Sequence, residues 1–250
     1  MSLTILYTLS SVISVSALSF LGIFFFLFDE SIIRKSLLYF VSISTGALLG
    51  DVFLHIIPEL SEDPDTLERN LYVLLAGILF SFILEKIVHW RHCHILPTGE
   101  HHHHPMGIVN IVAESVHNFI DGLVIAAAFI ASTPIGFSTT LAVILHETPH
   151  EIGNVAVLLH SGYPKKKALF FNVLSGMASI VGAVIVMLFA GFSEVIGGLM
   201  LPFAAGNLLY IAGSDLIPEL HKETRFRSGV GQLICIIIGM AVMYGVKVME

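Results

Sequence analysis

Charged residues are scarce in this chain of 250 residues, since Asp, Glu, Lys and Arg together make up only 12% of it. An ordinary soluble domain carries about twice that fraction. Hydrophobic residues make up 55%, and the mean hydropathy is +0.87. The composition therefore excludes an ordinary soluble domain and indicates a membrane protein.

Basic residues and cysteines are also few. The chain has 12 Lys and Arg against 19 Asp and Glu, a formal net charge of −7, and its longest basic run is the three lysines at 165–167. This balance excludes a nucleic-acid-binding surface. The two cysteines, Cys93 and Cys235, are too few for a disulfide scaffold and do not indicate a redox compartment.

Long apolar stretches occupy most of the chain instead. Because a membrane-spanning helix takes about 20 residues, the length allows eight spans joined by short loops and no separate soluble domain. We predict an all-α, polytopic membrane protein with one transmembrane domain over residues 1–250. The predicted spans are about 3–28, 36–60, 71–90, 107–131, 135–160, 168–191, 195–220 and 229–248.

The positions of basic residues test this count, because lysine and arginine concentrate in cytoplasmic loops. Ten of the twelve fall on one side of the predicted bundle, and only Arg69 and Lys247 fall on the other. We therefore expect both termini to be extracytoplasmic, in a plasma membrane or an endomembrane. The ten are Arg34, Lys35, Lys86, Arg91, Lys165, Lys166, Lys167, Lys222, Arg225 and Arg227.

Ionisable side chains occur in the middle of the fourth and fifth spans, where each costs about 2.5–3.5 kcal/mol to insert. Within each span they are three or four residues apart, so they share a helix face. Imidazoles combined with carboxylates and an amide oxygen suit zinc better than Mg²⁺ or Ca²⁺. We therefore predict a metal site formed by His117, Asn118, Asp121, His146, Glu147 and His150.

Pro149 lies inside the fifth span. Proline removes a backbone donor, so it should kink the helix and leave a carbonyl about one turn earlier without its usual partner. Broken helices with such carbonyls are common at the ion sites of transporters.

The segment from His146 to His150 also matches H-E-x-x-H, the signature of zinc proteases. An intramembrane metalloprotease is therefore an alternative, and a metal-gated receptor without ion flux is another. A catalytic zinc needs only three protein ligands, which the fourth and fifth spans oversupply, and Pro149 disturbs the motif. We therefore expect a protein that is not an enzyme.

The sequence Ile-Pro-Glu-Leu occurs twice, at 57–60 and 217–220. The two copies end predicted helices of opposite direction, which indicates an inverted repeat relating spans 1–3 to spans 6–8 around a central pair. Alternatively, Pro-Glu only ends each helix at the membrane interface. We predict that His55 and Glu59 help line an outer mouth and that Asp215 and Glu219 line a cytoplasmic exit. The candidate pathway residues are Asp51, His55, Glu59, Glu114, Glu151, Asp215 and Glu219.

The chain resembles the ZIP (Zrt/Irt-like) metal transporters, in the LIV-1-like branch with a histidine-rich motif in its fifth span. The segment 117–122 is similar to the family motif HNFxDG, and the segment 146–154 is similar to HExPHExGD. The resemblance implies a 3+2+3 bundle of eight helices, commonly a homodimer. It also implies transport of zinc, and in some members Fe²⁺, Mn²⁺ or Cd²⁺, toward the cytosol.

The resemblance further implies a binuclear site between spans four and five. One metal would be held by His117, Asp121, His146 and His150. The second would be held by Asn118, Asp121, Glu147 and His150. Asn154 departs from the motif, which usually has Asp there, and the change Asn154→Asp is expected to be tolerated.

Histidines also crowd the loop between the third and fourth spans. We predict a His-rich cytoplasmic loop at 91–106 that contains four consecutive histidines at 101–104. Its composition favours a flexible chelator or sensor of the transported ion. An ordinary solvated loop is the alternative.

Overall fold

The computed structural model describes residues 2–26, 30–93, 104–190 and 194–249. Over these ranges every element of secondary structure is helical, which confirms the all-α fold. The predicted His-rich loop at 91–106 has its central residues 94–103 outside the described part of the chain. Its role stays a prediction.

Eight helical elements follow the chain order of the predicted spans, and four of them are uninterrupted. These are α3 (Pro64–Cys93), α4 (His104–Ala131), α5 (Thr133–His160) and α8 (Phe226–Met249).

The other four elements change helical pitch or turn within their length. They are α1 (Ser2–Ala17, then 3₁₀-helical Leu18–Phe26), α2 (Glu30–Asp51, π-helical Val52–Ile56, then Ile57–Leu60), α6 (Lys165–Gly176 and Ala178–Ala190) and α7 (Glu194–Tyr210, π-helical Ile211–Leu216, then Ile217–His221).

Seven of these elements, all except α5, are long and apolar enough to cross a membrane. The remaining element has 28 residues, about 42 Å at 1.5 Å per residue, which is also long enough. Its hydropathy is lower because His146, Glu147, His150 and Glu151 lie along its length. The chain is therefore a multi-pass membrane protein.

Helix packing follows the inverted repeat. α2 packs on α8 as α7 packs on α3, and α4 packs on α6 as α5 packs on α1. If α1, α2 and α3 are exchanged with α6, α7 and α8 in that order, and α4 with α5, each packed pair becomes its counterpart. The 3+2+3 arrangement predicted for the family therefore describes this bundle, with α4 and α5 packed against each other.

The two π-helical segments are part of the same symmetry. Each directly precedes one copy of Ile-Pro-Glu-Leu, at 57–60 in α2 and at 217–220 in α7. Single π turns are rare and are frequently found at functional sites, because the extra residue changes the direction of nearby side chains. Hydrophobic periodicity does not predict them.

A buried apolar cluster joins α2, α4 and α7. On α4 most of it lies C-terminal to the ionisable residues, toward the turn at Ser132 that leads to α5. Its side chains come from all three helices. They include Val52, Ile56, Val124, Ala127, Ala128, Leu201, Ala204, Ala205 and Leu208.

Candidate metal centre

Four side chains converge where α4 and α5 pack together. His117 and Asp121 lie one turn apart on α4, and His146 and Glu147 are consecutive on α5. Each offers one ligand atom, and these atoms all lie within 4.8 Å of one another. His117 is half-buried and the other three are fully buried.

The distances in this first group match those between zinc ligands. The Nε2 atom of His117 is 3.1 Å from Oε1 of Glu147. The Nε2 atom of His146 is 3.3 Å from that same oxygen and 3.3 Å from Oδ2 of Asp121. Neighbouring ligands of a tetrahedral zinc ion, with bonds of about 2.0–2.2 Å, lie about 3.3–3.5 Å apart. Small side-chain adjustments would therefore complete a zinc site.

Many polar atoms of this region are buried and have no hydrogen-bond partner within the described part of the chain. Such atoms are rare in folded proteins, because losing water without a new partner costs about 1–3 kcal/mol each. Their convergence makes these atoms candidate ligands of a cation. They are His117 Nε2, Asn118 Oδ1, both carboxylate oxygens of Asp121, His146 Nε2 and both carboxylate oxygens of Glu147.

A second group of Glu114, Glu147 and His150 adjoins the first, and its ligand atoms also lie within 4.8 Å of one another. The Nδ1 atom of His150 is 3.1 Å from Oε1 of Glu114. The His150 ring stacks on the His117 ring, with centroids 4.6 Å apart and an angle of 14°. Glu147 belongs to both groups, so the two groups are joined by one carboxylate.

This grouping differs from the sets implied by the family resemblance, in which Asp121 and His150 are shared. Glu114, assigned from sequence only to the pathway, lies in the second group. Its spacing of three residues before His117 places it on the ligand face of α4, a signal that was sufficient to find it. The amide of Asn118 donates to the backbone oxygen of Glu114 at 3.2 Å and to its carboxylate at 3.4 Å.

The carbonyl that Pro149 leaves without a backbone donor belongs to Leu145, four residues earlier. It does not remain available for an ion, because Ser44 Oγ of α2 donates to it at 2.5 Å. Ser44 is buried, so this bond ties α2 to the kink of α5 beside the metal ligands.

Replacing Ser44 by alanine should therefore leave a buried carbonyl unpaired at the kink. We expect a loss of about 1–3 kcal/mol of stability. For a chain of this length, each kcal/mol lowers the midpoint of thermal unfolding by about 2–4 °C. The measurement is thermal unfolding of the purified protein in detergent. The change Ser42→Ala is the matched control, since Ser42 Oγ bonds only Leu38 O of its own helix; equal losses in both variants would contradict a special role of Ser44.

Glu151, a candidate pathway residue, is fully buried, and both its carboxylate oxygens are engaged. Ser19 Oγ of α1 donates to one at 2.5 Å, and Asn172 Nδ2 of α6 donates to the other at 2.6 Å. Asn154 donates to Asn172 Oδ1 at 2.5 Å and accepts from Asn110 of α4. This amide network joins α1, α4, α5 and α6 one turn beyond His150.

The candidate residues of the outer mouth lie in and around the π segment of α2. Asp51 is fully buried and accepts a hydrogen bond of 2.7 Å from Thr139 Oγ1 of α5. His55 is also buried, with Nδ1 3.5 Å from an Asp51 oxygen. Glu59 is half-buried in the last turn of α2.

The candidate exit residues, Asp215 and Glu219, are both exposed. A cavity of about 260 Å³ is lined by Glu114, His117 and His150 at the metal centre and also by Asp215. A second cavity, of about 550 Å³, is lined by His146, His150, Asp215 and Glu219. The metal centre thus opens toward the end of the bundle that carries Asp215 and Glu219.

The H-E-x-x-H segment does not have the geometry of a protease site. In such a site the two histidines bind one zinc and the glutamate acts as the general base. Here His146 belongs to the first group, His150 belongs to the second, and Glu147 contributes ligand atoms to both.

Comparison with known proteins gives one family. The model of the ZIP Zinc transporter family matches residues 98–247. The protein named Zinc transporter zipt-7.1 of Caenorhabditis briggsae is 31% identical, over 98% of this chain and 79% of its own length. The Zinc transporter ZIP13 homolog of Drosophila melanogaster is 30% identical over 84% and 77%. Zinc transporter SLC39A7 of Rattus norvegicus is 37% identical over 55% and 31%. This chain, as its motifs on α4 and α5 predict, belongs to the ZIP zinc transporter family.

Proposed function

We propose that the protein transports divalent metal ions, zinc first, across a membrane into the cytosol through a binuclear centre between α4 and α5. The observation that carries the proposal is the convergence of buried imidazole, carboxylate and amide atoms that have no hydrogen-bond partner among the described residues. Carboxylates at this depth also neutralise the charge of the ion in a medium where an unpaired charge is costly. Fe²⁺, Mn²⁺ and Cd²⁺ are further candidate substrates.

The direction of transport is inferred from the two ends of the bundle. Both cavities lead from the candidate centre to Asp215, and the second also reaches Glu219, at the end that the distribution of basic residues assigns to the cytosol. Toward the other end, α2, α4 and α7 share a buried apolar cluster that includes Val52 and Ile56, from the same π segment as His55. We infer an inward-facing arrangement, in which metal enters past Asp51, His55 and Glu59 and leaves past Asp215 and Glu219.

The same proposal includes termini on the extracytoplasmic side of a plasma membrane or an endomembrane, and a homodimeric assembly. The protease alternative finds no support in the division of its two histidines between different groups. A receptor that binds metal without flux differs from a transporter only in function, so the deciding measurement is flux.

Purified protein in liposomes with a fluorescent metal indicator inside tests the proposal. Added Zn²⁺ should raise the indicator signal faster than in protein-free liposomes, while Mg²⁺ and Ca²⁺, which prefer all-oxygen sites, should not. Fe²⁺, Mn²⁺ and Cd²⁺ complete the panel. The variant Asp121→Asn keeps the shape of the side chain and removes its charge, and it should lose zinc flux. Bound zinc without flux in the wild-type protein would favour the receptor instead.

A further inference from the structure

The register of the inverted repeat is fixed by glycines in two helix pairs. Between α2 and α8, a Cβ on Gly46 would lie 2.0 Å from the carbonyl oxygen of Ile236, and a Cβ on Gly239 would lie 2.2 Å from that of Ile43. No other residue fits at either position, so the two backbones meet at this point.

The pair α7 and α3 has the same contacts. A Cβ on Gly206 would lie 2.1 Å from the carbonyl oxygen of Leu74, and a Cβ on Gly77 would lie 2.3 Å from that of Phe203. Position 206 follows position 46 by the same number of residues that separates the two Ile-Pro-Glu-Leu copies. The glycine contacts of the two helix pairs therefore define the same register, in which α2 corresponds to α7 and α8 corresponds to α3.

In this register a lysine at the outer mouth corresponds to a glutamate at the inner mouth, and a histidine corresponds to an aspartate. His55 corresponds to Asp215, and Lys247 of α8 corresponds to Glu85 of α3. Glu85 and Asp215 both line the cavity that leads away from the metal centre, and Tyr210 donates to Glu85. The equivalent outer position therefore carries a cation where the inner position carries an anion.

Lys247 is bound at the outer mouth. Its ammonium group donates to the carbonyl oxygen of Leu54 at 2.5 Å. Pro58, four residues later, has no N–H to donate to that carbonyl. Leu54 directly precedes His55 in the chain. The ammonium group of Lys247 therefore lies on the carbonyl next in sequence to a candidate pathway residue.

We propose that the ammonium group of Lys247 hinders the entry of metal at the outer mouth in the inward-facing state. Glu85, at the equivalent inner position, favours release of the metal. This inference rests on the proposed transport function. An incoming divalent ion must displace the ammonium group from the Leu54 carbonyl, so Lys247 sets the external metal concentration that transport requires. Glu85 acts after the metal centre, on the rate at which the ion leaves.

The test is zinc uptake into liposomes as a function of external zinc at low ionic strength. Lys247→Gln should lower KM by about fivefold, the size expected for one exposed charge acting on a neighbour, and leave the maximal rate nearly unchanged. Lys247→Glu should lower KM further, and both shifts should shrink in high salt. Glu85→Gln should instead lower the maximal rate and leave KM unchanged.

Arg69→Gln is the matched control, because Arg69 is exposed and is the other basic residue predicted on the outer side. It removes the same charge at a side chain that bonds Asn70 and not the Leu54 carbonyl, and it should leave KM unchanged. If both Lys247 variants transport zinc with the wild-type KM, the proposed role of Lys247 is wrong while the transport function stands. No flux in the wild-type protein would overturn the transport function itself, and this role with it.

Discussion

Replacing Glu147 by alanine should abolish metal binding at both halves of the centre, whereas replacing His150 should affect only one half. Glu147 is the residue that the two groups share. Both of its oxygens are buried without a hydrogen-bond partner among the described residues, and one of them lies 3.1 Å from His117 Nε2 and 3.3 Å from His146 Nε2. His150 belongs to the second group, which faces the cavities.

The size of the effect follows from the position of Glu147. Loss of an outer partner of a metal ligand already costs about 10–100-fold in affinity. Loss of a ligand shared by two metals should exceed that, and without Glu147 only the Asp121 carboxylate of the first group would balance the charge of the ion. Zinc flux should fall to the level of protein-free liposomes.

Metal analysis of the purified protein, titrated with zinc, measures both variants. The wild-type protein should bind two ions, Glu147→Ala should bind neither tightly, and His150→Ala should retain one. The change Glu68→Ala, at an exposed carboxylate of α3 that bonds Tyr72, is the control and should retain both. Retention of one ion by Glu147→Ala would show that the halves do not share this carboxylate.

Much of the fold and of the centre is predictable because the relevant patterns are local. Spacings of three and four residues place His117, Asp121, His146 and His150 on the facing sides of two helices, and the Ile-Pro-Glu-Leu copies indicate the inverted repeat. Glu114 could have been included by the same spacing. Local patterns suffice here because membrane depth leaves few places for ionisable groups.

Other features depend on contacts between residues far apart in the chain. The bond from Ser44 to the carbonyl freed by Pro149, and the choice of Glu147 as the shared ligand, are set by how α2, α4 and α5 cross. The π turns before Pro58 and Pro218 arise from packing that hydrophobic periodicity does not record. Asn154 shows this most clearly, since its partners lie on α4 and α6.

The change Asn154→Asp, which the family motif suggests is harmless, should instead weaken the protein. Asn172 Nδ2 donates to the backbone oxygen of Ser19 at 2.9 Å and to Glu151, so its own oxygen must face Asn154. Only a donor at position 154 satisfies that oxygen, and Asn154 Nδ2 supplies one at 2.5 Å. An aspartate there would place two oxygens in contact inside the bundle, one turn beyond His150.

A double-mutant cycle separates this effect from any other role of position 154. In the wild-type background Asn154→Asp should cost about 1–3 kcal/mol, because a buried acceptor loses its donor. In an Asn172→Ala background the opposing oxygen is absent, and the cost should fall by at least about 0.5 kcal/mol, the lower end of coupling between contacting residues. Thermal unfolding in detergent and the zinc affinity of all four proteins give the cycle.

The zinc affinity distinguishes the two accounts of position 154. If the network holds the turn that carries His150, Asn154→Asp should weaken zinc binding, and the loss should be smaller when Asn172 is already alanine. If position 154 acts through its charge on the ion, as an acid in the family motif could, Asn154→Asp should strengthen binding equally in both backgrounds. In the network account the Asn154 amide bonds only Asn110 and Asn172 among the described residues and does not itself hold metal. Equal strengthening in both backgrounds would therefore contradict that account.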